Sequence, residues 1–396
     1  MAAYPPAVVS RARWAVATLF ALNGATFASM VPRYPDIIER LGMSHTVFGL
    51  VLALGPLGAM LSGPFTGMLL RRIPSARLAA DAQLVTLLVI GLVLTAPAVW
   101  VFALGFALYS VFDVYTDVGQ NAHGLRVQRE AGRSLINGFH AFWSLGAMLG
   151  GLLGATLAAA QVSLAWHAVV VIVLLAAVNL MVRTRLLPGP DTREDDAQAP
   201  GPGATTEGPG RRIPKGVWVF AALGLVAAAG ASIEDAGFTW STLYLGELGA
   251  PAGLAGAGVV ALMAAHTLGR LTGDRLVDHL GEQTVVRVGC GAATVALLAA
   301  LVWPSVPLTV LAFAVAGWGV AAVVPAAFHA ADNVPGLGHG VGLSIVNLML
   351  RAAFILGPPV VGRISDLVDL RTALFVMPLA TAAVVLLAPV LAPRRR

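Results

Sequence analysis

The chain of 396 residues has one cysteine, one lysine and few charges of either sign, 11% in all. Each shortage removes a class of protein. A lone Cys290 rules out an intrachain disulfide and a cysteine-based metal site. The lysine, Lys215, is followed by Gly216 and Val217, so no phosphate-cradling loop ending in Gly-Lys-Ser/Thr is present to drive a nucleotide pump. The eight histidines show no His-x-x-x-His pair of metal-ligand spacing. The run Gly336, Gly338, Gly340, Gly342 lacks the spacing and the preceding strand of a dinucleotide site, and reads as a loop opening a helix. No nucleophile or metal constellation supports an intramembrane enzyme, and neither a cofactor nor a metal is expected. Charge at 11% also falls far below the roughly 25% of soluble domains.

What is abundant is apolar surface. The chain is 58% hydrophobic with a mean hydropathy of +0.82, the composition of an integral membrane protein. Twelve apolar stretches are long enough to cross about 30 Å of hydrocarbon: 12–31, 46–70, 78–96, 98–120, 135–158, 165–183, 217–243, 253–273, 283–303, 307–327, 342–361 and 373–392. Residues 184–215 form the one long polar stretch, rich in Pro and Gly, and read as a flexible linker. The expected organisation is an all-α membrane fold, with one six-helix bundle over 1–183, the linker over 184–215, and a second bundle over 216–396.

The two halves echo each other at an offset of about 210 residues, which supports pseudo-symmetric bundles. Gly67-Met68-Leu69-Leu70-Arg71-Arg72-Ile73-Pro74 returns as Asp274-Arg275-Leu276-Val277-Asp278-His279-Leu280-Gly281. Asn23, Ala25 and Phe27 match Glu234, Ala236 and Phe238, and Gly132-x-Ser134-x-Ile136-Asn137 matches Gly342-x-Ser344-x-Val346-Asn347. Repeated halves in a membrane chain usually enclose a binding site near the midplane.

Cytoplasmic segments near span ends retain positive charge. With the N-terminus inside, every basic residue except Arg33, Arg40, Arg351, Arg363 and Arg371 falls on the cytoplasmic side. Both termini are therefore expected in the cytoplasm, and the net charge of +5 reflects orientation rather than affinity for nucleic acid. The expected partners are the bilayer, a small solute and protons, with the chain acting as a monomer in the cytoplasmic (inner) membrane.

Polar groups placed where hydrocarbon belongs are the candidate site. A charge near the bilayer centre costs about 2.5 to 3.5 kcal/mol on insertion scales, so such groups face protein or water. In the fourth span Tyr109, Asp113, Asp117 and Asn121 recur every fourth residue and share one face. Asp113 lies about 22 Å along that helix from the outer end. In the seventh span Glu234 and Asp235 are adjacent carboxylates pointing about 100° apart. A carboxyl that trades desolvation against a nearby cation can carry a proton, and Arg351 in the eleventh span is the expected cation; a static ion pair is the structural alternative. Asp113, Asp117, Glu234 and Asp235 are therefore the candidates for proton coupling. Asn23, Tyr109, Asn137, His140, Asn347 and Arg351 are the candidates for binding a polar or anionic solute, with Ser144 at helical spacing from His140. Trp143, Trp240 and Trp318 are left unassigned, as packing or interfacial residues. Gly146, Gly150 and Gly154 repeat every fourth position and read as a seam for close helix approach, not a site.

The loop after the second span resembles the Gly-x-Leu-x-Asp-Arg-x-Gly-x-Arg-Arg signature of the major facilitator superfamily, here as Gly67, Leu69, Arg71, Arg72, Pro74 and Arg77. The similarity extends over essentially the whole chain. Arg71 stands where the family has its acid and Pro74 where it has glycine, whereas the second copy keeps Asp278 and Gly281. The resemblance implies a cytoplasmic gate involving Arg71, Arg72 and Asp278. Within the superfamily, Asp117-x-x-x-Asn121-x-x-Gly124, Asn137-x-x-His140-x-x-x-Ser144-Leu145-Gly146, Glu234 with Trp240-Ser241 and Tyr244-Leu245, and Gly357-Pro358-Pro359-x-x-Gly362 are similar to bacterial fucose-permease-like transporters. An acid expected in their first span is absent here, with Asn23 the nearest polar group, so sugar specificity is not implied. The resemblance implies alternating access in a secondary transporter, with proton symport the expected coupling. Efflux, or a non-transporting receptor or scaffold, is the alternative.

Overall fold

The computed structural model describes residues 4–189, 191, 217–332, 334 and 341–392. Most of the expected linker and most of the expected loop at Gly336–Gly342 lie outside these residues. Among the described residues the chain is helical without strands, and twelve helices are long and apolar enough to cross a membrane. They are span 1 Pro6–Leu41, span 2 His45–Gly63, span 3 Ser75–Thr95, span 4 Val99–Ala131, span 5 Gly138–Ala159 and span 6 Leu164–Arg183. The second set is span 7 Trp218–Glu247, span 8 Gly253–Gly273, span 9 Glu282–Val302, span 10 Val306–Ala331, span 11 Gly342–Leu367 and span 12 Leu370–Leu391.

Local chemistry sets the helix ends. Span 1 opens at Pro6, where a missing N–H costs nothing. Span 4 stops at Gly132, which takes a left-handed conformation at φ 63° and returns its N–H to Arg129. The helix of span 5 starts at Ile136, and the Gln128 side chain accepts the N–H groups of Leu135 and Ile136 at 2.7 and 3.1 Å. Ser163 caps span 6 by accepting from the Trp166 N–H. Tryptophans 100, 166, 218 and 303 stand exposed at span ends, the position that indole rings favour at a membrane surface.

The helices form two units, one of Met1–Gly42 with Leu54–Ala204 and one of Met43–Ala53 with Thr205–Arg396. The same helix pairs recur inside each. In the first unit span 1 packs on span 5, span 3 on span 4 and span 3 on span 6; in the second, span 7 packs on span 11, span 9 on span 10 and span 9 on span 12. Small residues make these approaches possible. A methyl carbon placed at Gly146 would lie 2.6 Å from Ala21 Cα, and one at Gly150 2.6 Å from Ala25 Cα. The expected glycine seam thus closes span 5 onto span 1. In the second unit Gly289 and Gly319 approach each other between spans 9 and 10 in the same way. The first turns of span 2 group with the second unit, where the Asp366 carboxylate accepts the His45 and Thr46 N–H groups at 2.9 and 2.8 Å.

Candidate functional site

In the first unit the polar face of span 4 is held by two other spans. Asn23 of span 1 donates its Nδ2 to Asp113 Oδ1 at 2.7 Å and accepts the indole N–H of Trp143, from span 5, at 2.8 Å. Each end of the Asn23 amide therefore makes one hydrogen bond. Asn23, expected to contact solute, thus links Asp113 of span 4 to Trp143 of span 5, and its amide keeps a second N–H and a second lone pair. The seam just described fixes that chain, because Ala21 and Ala25, the residues it presses against, flank Asn23. Asp113 is half-buried and remains reachable. Tyr109, one turn away, is buried and stacked on Phe27 at 5.9 Å, and among the described residues its hydroxyl has no hydrogen-bond partner. Asp117 is exposed and accepts from Asn121 at 2.9 Å and from Gln120 at 3.3 Å. His140 is exposed, edge-on to Phe20 at 5.1 Å. Ser144 differs from expectation. It is buried and donates to the His140 carbonyl of its own helix at 3.3 Å, so its hydroxyl is spent within the helix. Asn137 lies on the first turn of the span 5 helix, and its side chain falls outside the described set.

In the second unit the side chain beside Glu234 is not the expected arginine. His266 Nδ1, from span 8, lies 3.2 Å from Glu234 Oε1, with His266 buried and Glu234 partly open. Among the described residues Arg351 pairs with neither Glu234 nor Asp235; it and Asn347 are half-buried, four residues apart on span 11, and form no hydrogen bond there. Span 8 packs on span 7, and this brings a side chain with a single ring to the carboxylate. The clue present in the sequence was His266 with Arg270, two basic groups one turn apart in an apolar span. A search for paired histidines passes over it. Asp235 is half-buried without a hydrogen bond among the described residues. Trp240 is fully buried against Phe48 and His45 and serves as packing.

The Glu234–His266 contact predicts a stability order. Replacing His266 with Phe leaves a carboxylate without its partner and should cost about 1 to 3 kcal/mol, while His266→Phe combined with Glu234→Gln should regain most of that loss. Arg351→Ala should change unfolding little. Thermal unfolding in detergent tests the order, and a larger loss for Arg351→Ala than for His266→Phe would contradict the pairing.

The chain beyond span 6 does not leave at once, although a flexible linker is expected from 184. Leu186 and Leu187 are buried, and the Leu187 N–H donates to His123 Nε2 at 3.2 Å. Asp191 accepts the Ser75 N–H and hydroxyl at 2.6 and 2.9 Å and pairs with Arg126 at 3.4 Å. Arg126 also donates to the Pro188 carbonyl at 2.7 Å and to the Tyr4 hydroxyl at 2.8 Å. Asp191 thus places an acid at the start of span 3, beside the loop in which Arg71 occupies the signature's acidic position. Arg71, Arg72 and Asp278 are exposed and make no ion pair among the described residues.

Twelve membrane-length helices and polar side chains held between them set the terms for comparison with known proteins. The model of the Major Facilitator Superfamily matches residues 16–302 and 237–396. An uncharacterized transporter, y4wD, of Sinorhizobium fredii is 31% identical over 383 residues, covering 95% of this chain and 97% of its own. A bacterial homologue of the human lysosomal transporter Spinster, solved inward-facing and occupied, shares the fold with a TM-score of 0.74 at 14% identity, over 98% of this chain and 97% of its own. The transporter FucP in an outward conformation gives 0.59 at 15% identity, over 96% and 99%. Twelve spans in twice-repeated helix pairs, with a polar relay held across three of them, are thus found in a chain that belongs to the Major Facilitator Superfamily of membrane transporters.

Proposed function

We propose that this transporter is a secondary active carrier of a small polar solute, coupled to protons as a symporter. The observation that carries the reading is Asp113, a half-buried carboxyl on a membrane helix, oriented by Asn23 and through it by Trp143. Three spans spend hydrogen bonds on holding one ionisable group that still has an open side. Such a group binds and releases a proton without the helices having to separate. Glu234 with His266 is the second such site, while Asp117 and Asp235 are the reserve acids. Tyr109, Asn137, His140, Asn347 and Arg351 are the groups offered to solute. Arg71, Arg72 and Asp278 act at the cytoplasmic ends. The carrier works as a monomer in the cytoplasmic membrane, as six-helix halves over 1–183 and 216–396 joined by residues 184–215. Both termini and the joining segment lie in the cytoplasm, so a reporter at Gly203 should read as cytoplasmic.

Purified protein in liposomes should take up protons when its solute is added, with the solute found by a thermal-shift screen of metabolite pools. Proton movement opposite to the solute would replace symport with efflux by exchange. Solute binding without any flux would leave a receptor.

A further inference from the structure

The transport reading leaves unused a cavity of about 220 Å³ in the first unit, at the N-terminal ends of the span 1 and span 5 helices. Arg13 and Trp14 line it from span 1, and Arg133, Ser134, Gly138 and Phe142 from the turn into span 5 and its first turns. The Arg13 guanidinium lies 5.2 Å from the centre of the Trp14 ring, and Trp14 meets Phe142 edge-on at 5.9 Å. The wall is thus two arginines and a hydroxyl over aromatic surface. No carboxylate lines the cavity, and neither Arg13 nor Arg133 makes an ion pair among the described residues. Uncompensated cations around a cavity call for an anion.

What lies beside the cavity narrows the choice of anion. On span 5, Phe142, Leu145, Leu149 and Leu152 share one face at helical spacing, and the three leucines are 41%, 52% and 53% exposed. That face points away from His140, whose side of the helix is the polar one. An exposed apolar track that begins at a basic cavity fits a molecule with an anionic head and long apolar chains.

We propose that this cavity holds the phosphate headgroup of an anionic phospholipid, with an acyl chain along Phe142, Leu145, Leu149 and Leu152. A soluble phosphate shares the headgroup's charge and would gain nothing from the leucine track. Naming the leaflet as cytoplasmic rests on the proposed orientation; the binding itself does not, and neither depends on the solute or its coupling.

The test is native mass spectrometry of the full-length protein exposed to equal amounts of phosphatidylglycerol and phosphatidylcholine. The wild type should retain phosphatidylglycerol preferentially. Arg13→Gln and Arg133→Gln should each reduce that preference about fivefold, the worth of one basic group at a membrane surface. Gly138→Leu should reduce it without any change of charge, because a Cβ at Gly138 meets nothing within 4 Å and a larger side chain can enter the cavity. Arg185→Gln, which removes an exposed arginine outside the cavity, should leave the preference intact. Unfolding curves matching wild type establish that each variant folds, and Gly138→Leu carries the test if an arginine variant does not. Three results would overturn the proposal: no preference in the wild type, an Arg185→Gln effect equal to that of Arg133→Gln, or displacement of the lipid by inorganic phosphate with Gly138→Leu without effect.

Discussion

Asp113→Asn will abolish accumulation of solute against its gradient while leaving exchange across a membrane loaded on both sides. The amide keeps the shape of the carboxyl, and its oxygen can still accept the Asn23 Nδ2–H that now reaches Asp113 at 2.7 Å. What it loses is the ability to change protonation. A carrier fixed in the protonated form can shuttle loaded in both directions, because exchange needs no proton to leave. Net uptake needs the empty carrier to return, and that step is the one the amide blocks. With that step blocked, labelled solute equilibrates by one-for-one exchange while the total inside does not rise. A purely structural carboxyl predicts something else, with folding, uptake and exchange declining together. Glu234→Gln and Asp117→Asn are the comparison variants. Should Asp113→Asn still accumulate solute with the wild-type pH dependence, the proton site would have to be Glu234 or one of the reserve acids.

Gly150→Ala, a single added methyl, will cost about 3 kcal/mol and transport with it. Its Cβ would sit 2.6 Å from Ala25 Cα, in the backbone of a packed neighbour that has no flexible end to move aside. Spans 1 and 5 must then separate. Because Ala21 and Ala25 flank Asn23, separation stretches the bond between Asn23 and Trp143 as well as the packing. Gly291→Ala is the matched control: its Cβ would meet nothing within 4 Å, and within a helix alanine is the better residue by about 0.5 to 1 kcal/mol. Thermal unfolding and expression yield measure both. Equal stability of the two variants would mean that the seam is not a close contact.

The lesson of these residues is where legibility stops. Hydropathy and the distribution of arginine are local sums along the chain, so twelve spans, two repeated halves and a membrane class could be read without any knowledge of neighbours. The same holds for features within one helix. Tyr109, Asp113, Asp117 and Asn121 share a face because of helical pitch alone, and Asp117 does bond to Asn121. The glycine seam was legible as a seam, since three small residues at every fourth position suit close approach whatever the partner.

Partners were not legible. Asn23 and Asp113 are 90 residues apart, and Trp143 is 120 from Asn23. Glu234 drew His266 instead of Arg351, and Asp191, in what reads as linker, came to rest on Ser75 and Arg126. Each of these depends on how far one helix is rotated and how closely it approaches another, which span 5 decides for span 1 through Gly146 and Gly150. By itself the sequence determined which groups are too polar for hydrocarbon and on which helix face they stand. Only the tertiary structure decided which of them meet, because a hydrogen bond tolerates a few tenths of an ångström while hydropathy places a helix only to within a turn.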